Sequence, residues 1–137
     1  MQLKVMLDEG ARMPTRAHPA DAGLDLYARE NMRIFPHSFA SMDLGVHMEI
    51  PEGYVGLITS KSGLMARGIT CRGTIDSGYT GSIKAIMYNQ NDHEVWLYKG
   101  QKVTQMVILP ILTPDMVLVE CMGETDRGSD GFGSTGR

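Results

Sequence analysis

Residues 42–50 (MDLGVHMEI) alternate without a break: Met42, Leu44, Val46, Met48 and Ile50 are apolar, while Asp43, Gly45, His47 and Glu49 between them are not. An extended chain sends successive side chains to opposite faces, so this period of two predicts a half-buried strand and leaves no apolar stripe for a helix. Helical spacing is almost absent from the rest of the chain. Glycine, at 16 residues, and proline, at 6, fall between short apolar runs, where turns between many short strands belong. The pattern predicts an all-β fold. Pro51-Glu52-Gly53 reads as a turn and 54–58 (YVGLI) as a returning strand, giving a hairpin with 42–50. Further strands are expected at 4–6, 32–35, 82–88, 94–97, 103–109 and 116–122. One helical turn is expected at 63–67 (GLMAR), with Ser62 as N-cap and Gly68 as C-cap.

With 42% hydrophobic and 21% charged residues, the 137-residue chain has the means to bury one ordinary core. The tail from Gly123 onward carries Phe132 as its one large apolar residue. The expected organisation is therefore one β domain over 1–122 and a flexible C-terminal arm over 123–137. A net charge of -3 with scattered Lys and Arg argues against a polymeric nucleic-acid partner. Cys71 and Cys121 make neither a disulfide framework nor a metal-ligand spacing, so two buried thiols in a reducing compartment are expected. No long apolar run suggests a membrane span, and the first ten residues lack a secretory apolar core. A cytoplasmic location follows as the expectation. The histidines, His18, His37, His47 and His93, show no ligand pairing and read as surface or turn residues. The 11 methionines read as core filling.

Five glycine-bearing segments combine a pliable backbone with groups suited to anions or proton transfer. Segment 127–136 (RGSDGFGSTG) places an Arg, hydroxyls and backbone N–H groups around Phe132, the makings of a phosphate cradle with a ring to stack on a base. A solvated glycine-rich tail is the plainer alternative. In 60–64 (SKSGL), Lys61 or Ser62 suits a phosphate, or else simply starts a helical turn. In 73–81 (GTIDSGYTG), Asp76 suits a general base and Tyr79 a flat wall for a sugar, or else an Asx turn and core packing. In 22–28 (AGLDLYA), Asp25 lies between two leucines and suits a role near a metal or phosphate, or else a solvated strand position. Segment 100–110 (GQKVTQMVILP) completes the set.

In this order and spacing, the five segments resemble the five signature motifs of the trimeric deoxyuridine triphosphatase (dUTPase) family, from about residue 22 to 136. The resemblance implies a β-clip, a distorted jelly-roll-like barrel, in a homotrimer whose active sites are shared between chains. It implies hydrolysis of dUTP to dUMP and pyrophosphate with Mg²⁺, which limits uracil in DNA and supplies dUMP. By resemblance, Asp76 is the water-activating carboxylate and Tyr79 the aromatic under deoxyribose that excludes a 2'-hydroxyl. Lys61, Ser62 and Gly63 resemble the phosphate-binding second motif, where Lys61 replaces the usual Arg and loses its planar fork. Gln105 is similar to the α-phosphate ligand. Asp25 resembles the acid that supports the metal through water, the metal itself being held mainly by substrate phosphates. Gly73, Thr74, Ile75 and Lys84 are also assigned to substrate, and 69–74 (ITCRGT) to the uracil edge. Arg127, Phe132, Gly133, Ser134 and Thr135 resemble the closing arm, with Phe132 over uracil. Gly78 replaces a second acid common in the third motif. Two alternatives remain: a dCTP deaminase-like enzyme, whose Glu-Gly base motif is missing here, and a dUTP-binding regulatory protein.

Overall fold

A computed structural model describes residues 1–136. Eleven strands and one helical turn follow one another: β1 (Lys4–Leu7), β2 (Gly23–Tyr27), β3 (Met32–Ile34), β4 (Ser38–Asp43), β5 (Val46–Glu49), β6 (Tyr54–Ser60), α1 (Ser62–Met65), β7 (Ile69–Cys71), β8 (Gly73–Ile75), β9 (Lys84–Asn89), β10 (Val95–Leu97) and β11 (Lys102–Pro110). The all-β expectation holds. The strands pair antiparallel in four small sheets, ordered β1-β5, β10-β3, β2-β11-β6-β8 and β4-β9-β7.

The predicted strand over 42–50 is two strands. Gly45 adopts φ +67, a left-handed conformation that glycine takes without strain, and its N–H is held by Asp43 Oδ1 at 2.9 Å. The chain turns there, so β4 joins β9 while β5 joins β1. The expected apolar face survives the break, because Met42, Leu44, Val46, Met48 and Ile50 are all buried. The hairpin expectation is also corrected. Pro51-Glu52-Gly53 does turn, with the Tyr54 N–H on the Pro51 carbonyl at 3.2 Å, but β6 pairs with β11 and β8, never with β5. The helical turn starts one residue earlier than expected, with Ser62 inside it and Lys61 in the capping position making no side-chain cap. It also ends earlier than expected, at Met65 with Ala66 as C-cap, and Gly68 turns the chain two residues later at φ +78.

The core gathers Leu26, Ile34, Met42, Leu44, Ile58, Ile69, Ile83, Met87, Leu97 and Met106, all of them almost inaccessible to water. Each contributes about 1.5–3 kcal/mol by leaving water, so the core needs no cross-link. No described helix is long and apolar enough to cross a membrane.

Two expectations fail together at the C-terminal end. Residues 116–122 form no strand, and Cys121 is exposed rather than buried, although Cys71 is buried as expected. Met116, Leu118 and Met122 stand almost entirely in solvent. A strand forms only where a neighbour takes its N–H and C=O groups, and after β11 the chain meets no free edge of its own sheets. The whole chain exposes 9750 Å², against about 7,000 Å² expected for a compact monomer of this mass.

Candidate active site

Asp25 lies in β2, directly across from Gln105 of β11. Leu24 and Leu26 enter the core on one face, and alternation sends Asp25 to the other. A solvated carboxylate was the plainer expectation, yet Asp25 is only 4% exposed. Lys61 Nζ sits 2.5 Å from one carboxylate oxygen and Lys102 Nζ 2.8 Å from the other. Burial pushes the Asp25 carboxyl up, and the hydrogen bonds and charges of Lys102 and Lys61 outweigh it, leaving the group below the usual carboxylate range. The stability this supplies is present above the unfolded pKa of about 3.9 and is lost as pH falls through the lower folded value. The Asp25 carboxylate holds Lys102 above its ordinary range in turn. Two ammonium groups on one carboxylate leave a positive charge to spare, which suits an anion.

Lys102 is the residue that sequence reasoning missed. Counting back from Gln105 by alternation puts Val103 on the Asp25 side and Lys102 with Thr104 in the core. The register, however, runs from Lys102 opposite Tyr27 to Thr104 opposite Leu26, a bulge with Val103 as the extra residue. One inserted residue reverses the faces. Val103 enters the core, buried beside Thr104, and Lys102 swings out onto Asp25.

Gln105 completes this cluster, its Nε2 donating to the Ser60 carbonyl at 3.3 Å. The close approach explains Gly23, where a Cβ would collide with the Gln105 side-chain amide. Ser60 bonds both backbone groups of Cys71, donating from Oγ to the carbonyl at 3.0 Å and accepting from the N–H at 2.9 Å. That strap ties the end of β6 to β7 and fixes where Lys61 begins. A shallow pocket then runs from Thr59, Ser60 and Gln105 past Ser62 to Arg72. N–H groups in the first turn of a helix have no intrahelical acceptor, so Ser62 and Gly63 offer donors there.

A second cluster stands at the opposite edge of the four-stranded sheet. Gly73, Thr74 and Ile75 form β8, which leads to exposed Asp76. The Tyr79 N–H closes a turn on the Asp76 carbonyl at 3.1 Å. The Tyr79 ring lies against Gly81, where any Cβ would strike it, and its hydroxyl donates to the Ser82 carbonyl at 2.9 Å. The ring is thus held against its own loop and remains half-exposed. β2 and β8 are separated by three strand spacings, about 14 Å. Asp25 and Asp76 therefore belong to separate groups within one chain.

The remaining expected residues join neither cluster. Lys84 opens β9 opposite Asp43, on the three-stranded sheet. Arg127 donates from Nε to the Asp130 carbonyl at 2.8 Å, Ser134 donates from N to the Gly131 carbonyl at 3.2 Å, and Gly133 turns at φ +88. Phe132 holds its ring wholly in solvent, and Thr135 is exposed beside it. Among the described residues, no three acidic, His or Cys side chains converge on a point that could hold a metal. Asp25, the one acid of the first cluster, has both oxygens engaged by lysines. These donors give a bare cation no direct ligand and would suit one only when a polyphosphate carries it.

A family model described as dUTPase matches residues 9–136. A deoxyuridine 5'-triphosphate nucleotidohydrolase of Clostridium tetani is 40% identical over 136 residues, covering 96% of this chain and 94% of its own. Among solved structures, a point mutant of the Staphylococcus bacteriophage 80alpha dUTPase with dUpNHpp has a TM-score of 0.93 at 32% identity, with 99% of both chains covered. A dUTPase from phage phi11 of S. aureus, described with a structural Mg(II) ion, has a TM-score of 0.82 at 32% identity, covering 88% of this chain and 97% of that one. Over nearly its whole length, in sequence and in the path of its strands, this chain belongs to the dUTPase family.

Proposed function

We propose that this chain hydrolyses dUTP to dUMP and pyrophosphate, in a homotrimer whose sites combine the Asp25 cluster of one subunit with the Asp76–Tyr79 turn of another. The observation that carries this reading is the buried Asp25 carboxylate clamped by Lys61 and Lys102 beside Gln105, a cationic seat held about 14 Å from the general base by the sheet between them. Neither half makes a site alone. Asp76 accepts the proton of a water that attacks the α-phosphorus in line, and the bond to the pyrophosphate oxygen breaks opposite. Lys61, Ser62, Gly63 and Gln105 bind the phosphates, and Lys102 adds charge beside them. A bound Mg²⁺ would neutralise phosphate oxygens, and Asp25 would face its water shell. Backbone groups of residues 69–74 read the uracil edge, Ile75 adds a substrate contact, and Lys84 contributes at the rim. Residues 1–122 form the body as a β-clip, and 123–137 the arm, which brings Arg127, Phe132, Gly133, Ser134 and Thr135 over a neighbour's site. Loss of dUTP from the cytoplasmic pool limits uracil in DNA.

The reading is tested by pyrophosphate release with dUTP, dCTP, dTTP and UTP side by side. Turnover confined to dUTP is expected, and equal turnover of dCTP overturns the reading. In the same assay, Tyr79→Ala opens space beside the 2' carbon and should raise the rate on UTP relative to dUTP. An unchanged ratio would move sugar discrimination to another residue.

Assembly gives a separate expectation. The exposed apolar residues 116–119 need cover, and the surface in excess of a compact monomer is the amount a stable interface of about 2,000 Å² or more removes. Light scattering should give three times the 15.1 kDa chain mass. A stable, active monomer contradicts shared sites.

A further inference from the structure

His47 was expected to be a surface or turn residue, but it lies inside β5 with its side chain only 18% exposed. Both ring nitrogens face acceptors. Nδ1 is 2.8 Å from the Thr80 carbonyl, and Nε2 is 3.1 Å from each carboxylate oxygen of Asp8. A neutral imidazole carries one N–H and can satisfy only one of these, whereas the imidazolium satisfies both. Thr80 follows Tyr79 directly. The same loop is fixed elsewhere by Ser82 Oγ on Asp43 and by the Ile83 N–H on the Val46 carbonyl at 2.8 Å. Between Asp76 and Ser82, the His47 ring is the one described side chain from another strand that holds the loop backbone.

We infer that His47, as the imidazolium, is a positioning residue that pins the Thr80 carbonyl and so sets the pose of Tyr79 and the Asp76 turn. The inference rests on the proposed reading of that turn as the sugar and water site. Around His47 the carboxylates and the Thr80 carbonyl outweigh the cations. Asp8 follows β1, Asp43 ends β4, and Arg29 sits 3.8 and 3.9 Å from those two carboxylates, partly offsetting them. Lys4 and Glu49 pair with one another at 2.9 Å further along the β1-β5 ribbon, and Lys84 faces Asp43 from β9. The Thr80 carbonyl, with Asp8, holds His47 above the ordinary imidazole range. A neutral ring keeps its one N–H for the Asp8 carboxylate, the stronger and charged acceptor, so the hold on Thr80 is lost as pH rises through the folded value.

The test follows the full-length protein by NMR across the neutral range, with KM and kcat for dUTP measured in parallel. The Tyr79, Thr80 and Gly81 amides should titrate with the midpoint of the His47 ring. Over the same midpoint KM should rise roughly 2- to 12-fold, the ratio one net hydrogen bond corresponds to, with kcat changing less. His47→Gln keeps a donor for Thr80 and should remove the pH dependence from both readouts. Asp8→Asn should shift the midpoint to lower pH while leaving the response in place. Loop amides that ignore the His47 midpoint overturn the inference, as does a KM rise that persists in His47→Gln. The amide titration needs no substrate. If it succeeds while no pyrophosphate leaves dUTP, the catalytic reading fails and the positioning role stands.

Discussion

Cutting the chain after Asp126 is expected to leave thermal melting and oligomer mass unchanged and to lower kcat on dUTP by at least about 10²-fold, the order lost with one aligned charge contact on a reacting phosphate. Among the described residues, 127–136 make no hydrogen bond or ion pair to the body. Residues 127–136 are bonded among themselves, through Arg127 with Asp130 and Ser134 with Gly131, and Phe132 buries none of its ring. Closure must therefore draw its energy from the ligand. Stacking of Phe132 on a base supplies roughly 1–3 kcal/mol, while ordering a residue costs about 1–2 kcal/mol, so stacking offsets only a residue or two and phosphate contacts must supply the rest. The arm should accordingly close on a triphosphate and stay open on the nucleoside. The comparison is kcat and melting temperature for truncated and full chains. A truncated chain that melts early makes the tail structural, and one that keeps its kcat removes the arm from catalysis.

Asp76→Asn should cost about 10²- to 10⁴-fold in kcat while dUTP binding holds, because the amide keeps the shape and most hydrogen bonds but accepts no proton. The position tolerates the change. Asp76 is exposed at the end of β8, and the turn bond that fixes it runs through its backbone carbonyl to the Tyr79 N–H. Single-turnover rate and equilibrium binding of a slow substrate analogue separate the two effects. An unchanged rate removes Asp76 as the base, and lost binding makes it a ligand instead.

The parts of the fold that alternation controls were readable. The buried set Met42, Leu44, Val46, Met48 and Ile50 follows from period two alone, and it holds although the strand breaks. The break itself turns on one torsion angle, at Gly45, and glycines carry no pattern. β7 and β8 went unread as strands because they lie among Gly68, Gly73, Gly78 and Gly81, whose spacing reads as turn. Segment 116–122 shows the converse: its apolar content is plain, but alternation says nothing of whether a neighbouring strand is there to take its N–H and C=O groups. In the site, residue types were legible and their grouping was not. Gln105 and Asp25 came from separate motifs, and only the β2-β11 register sets them face to face. Lys102 lay outside reach because a bulge reverses the count that would have found it. The Asp25 environment was misjudged for a related reason, since the covering lysines arrive from β11 and from the start of α1.

The bulge at Val103 also fixes what kinds of sequence drift β11 can absorb. Identity there is loosely constrained, since any compact apolar side chain fills the pocket that Val103 occupies. Length matters less there than in a regular strand. Losing that one residue would restore a regular ladder with Lys102 still opposite Tyr27 on the Asp25 face, at the cost of the buried Val103 side chain. A lineage can therefore exchange letters at this point freely, and a lost codon strikes folding before it strikes the Asp25 cluster.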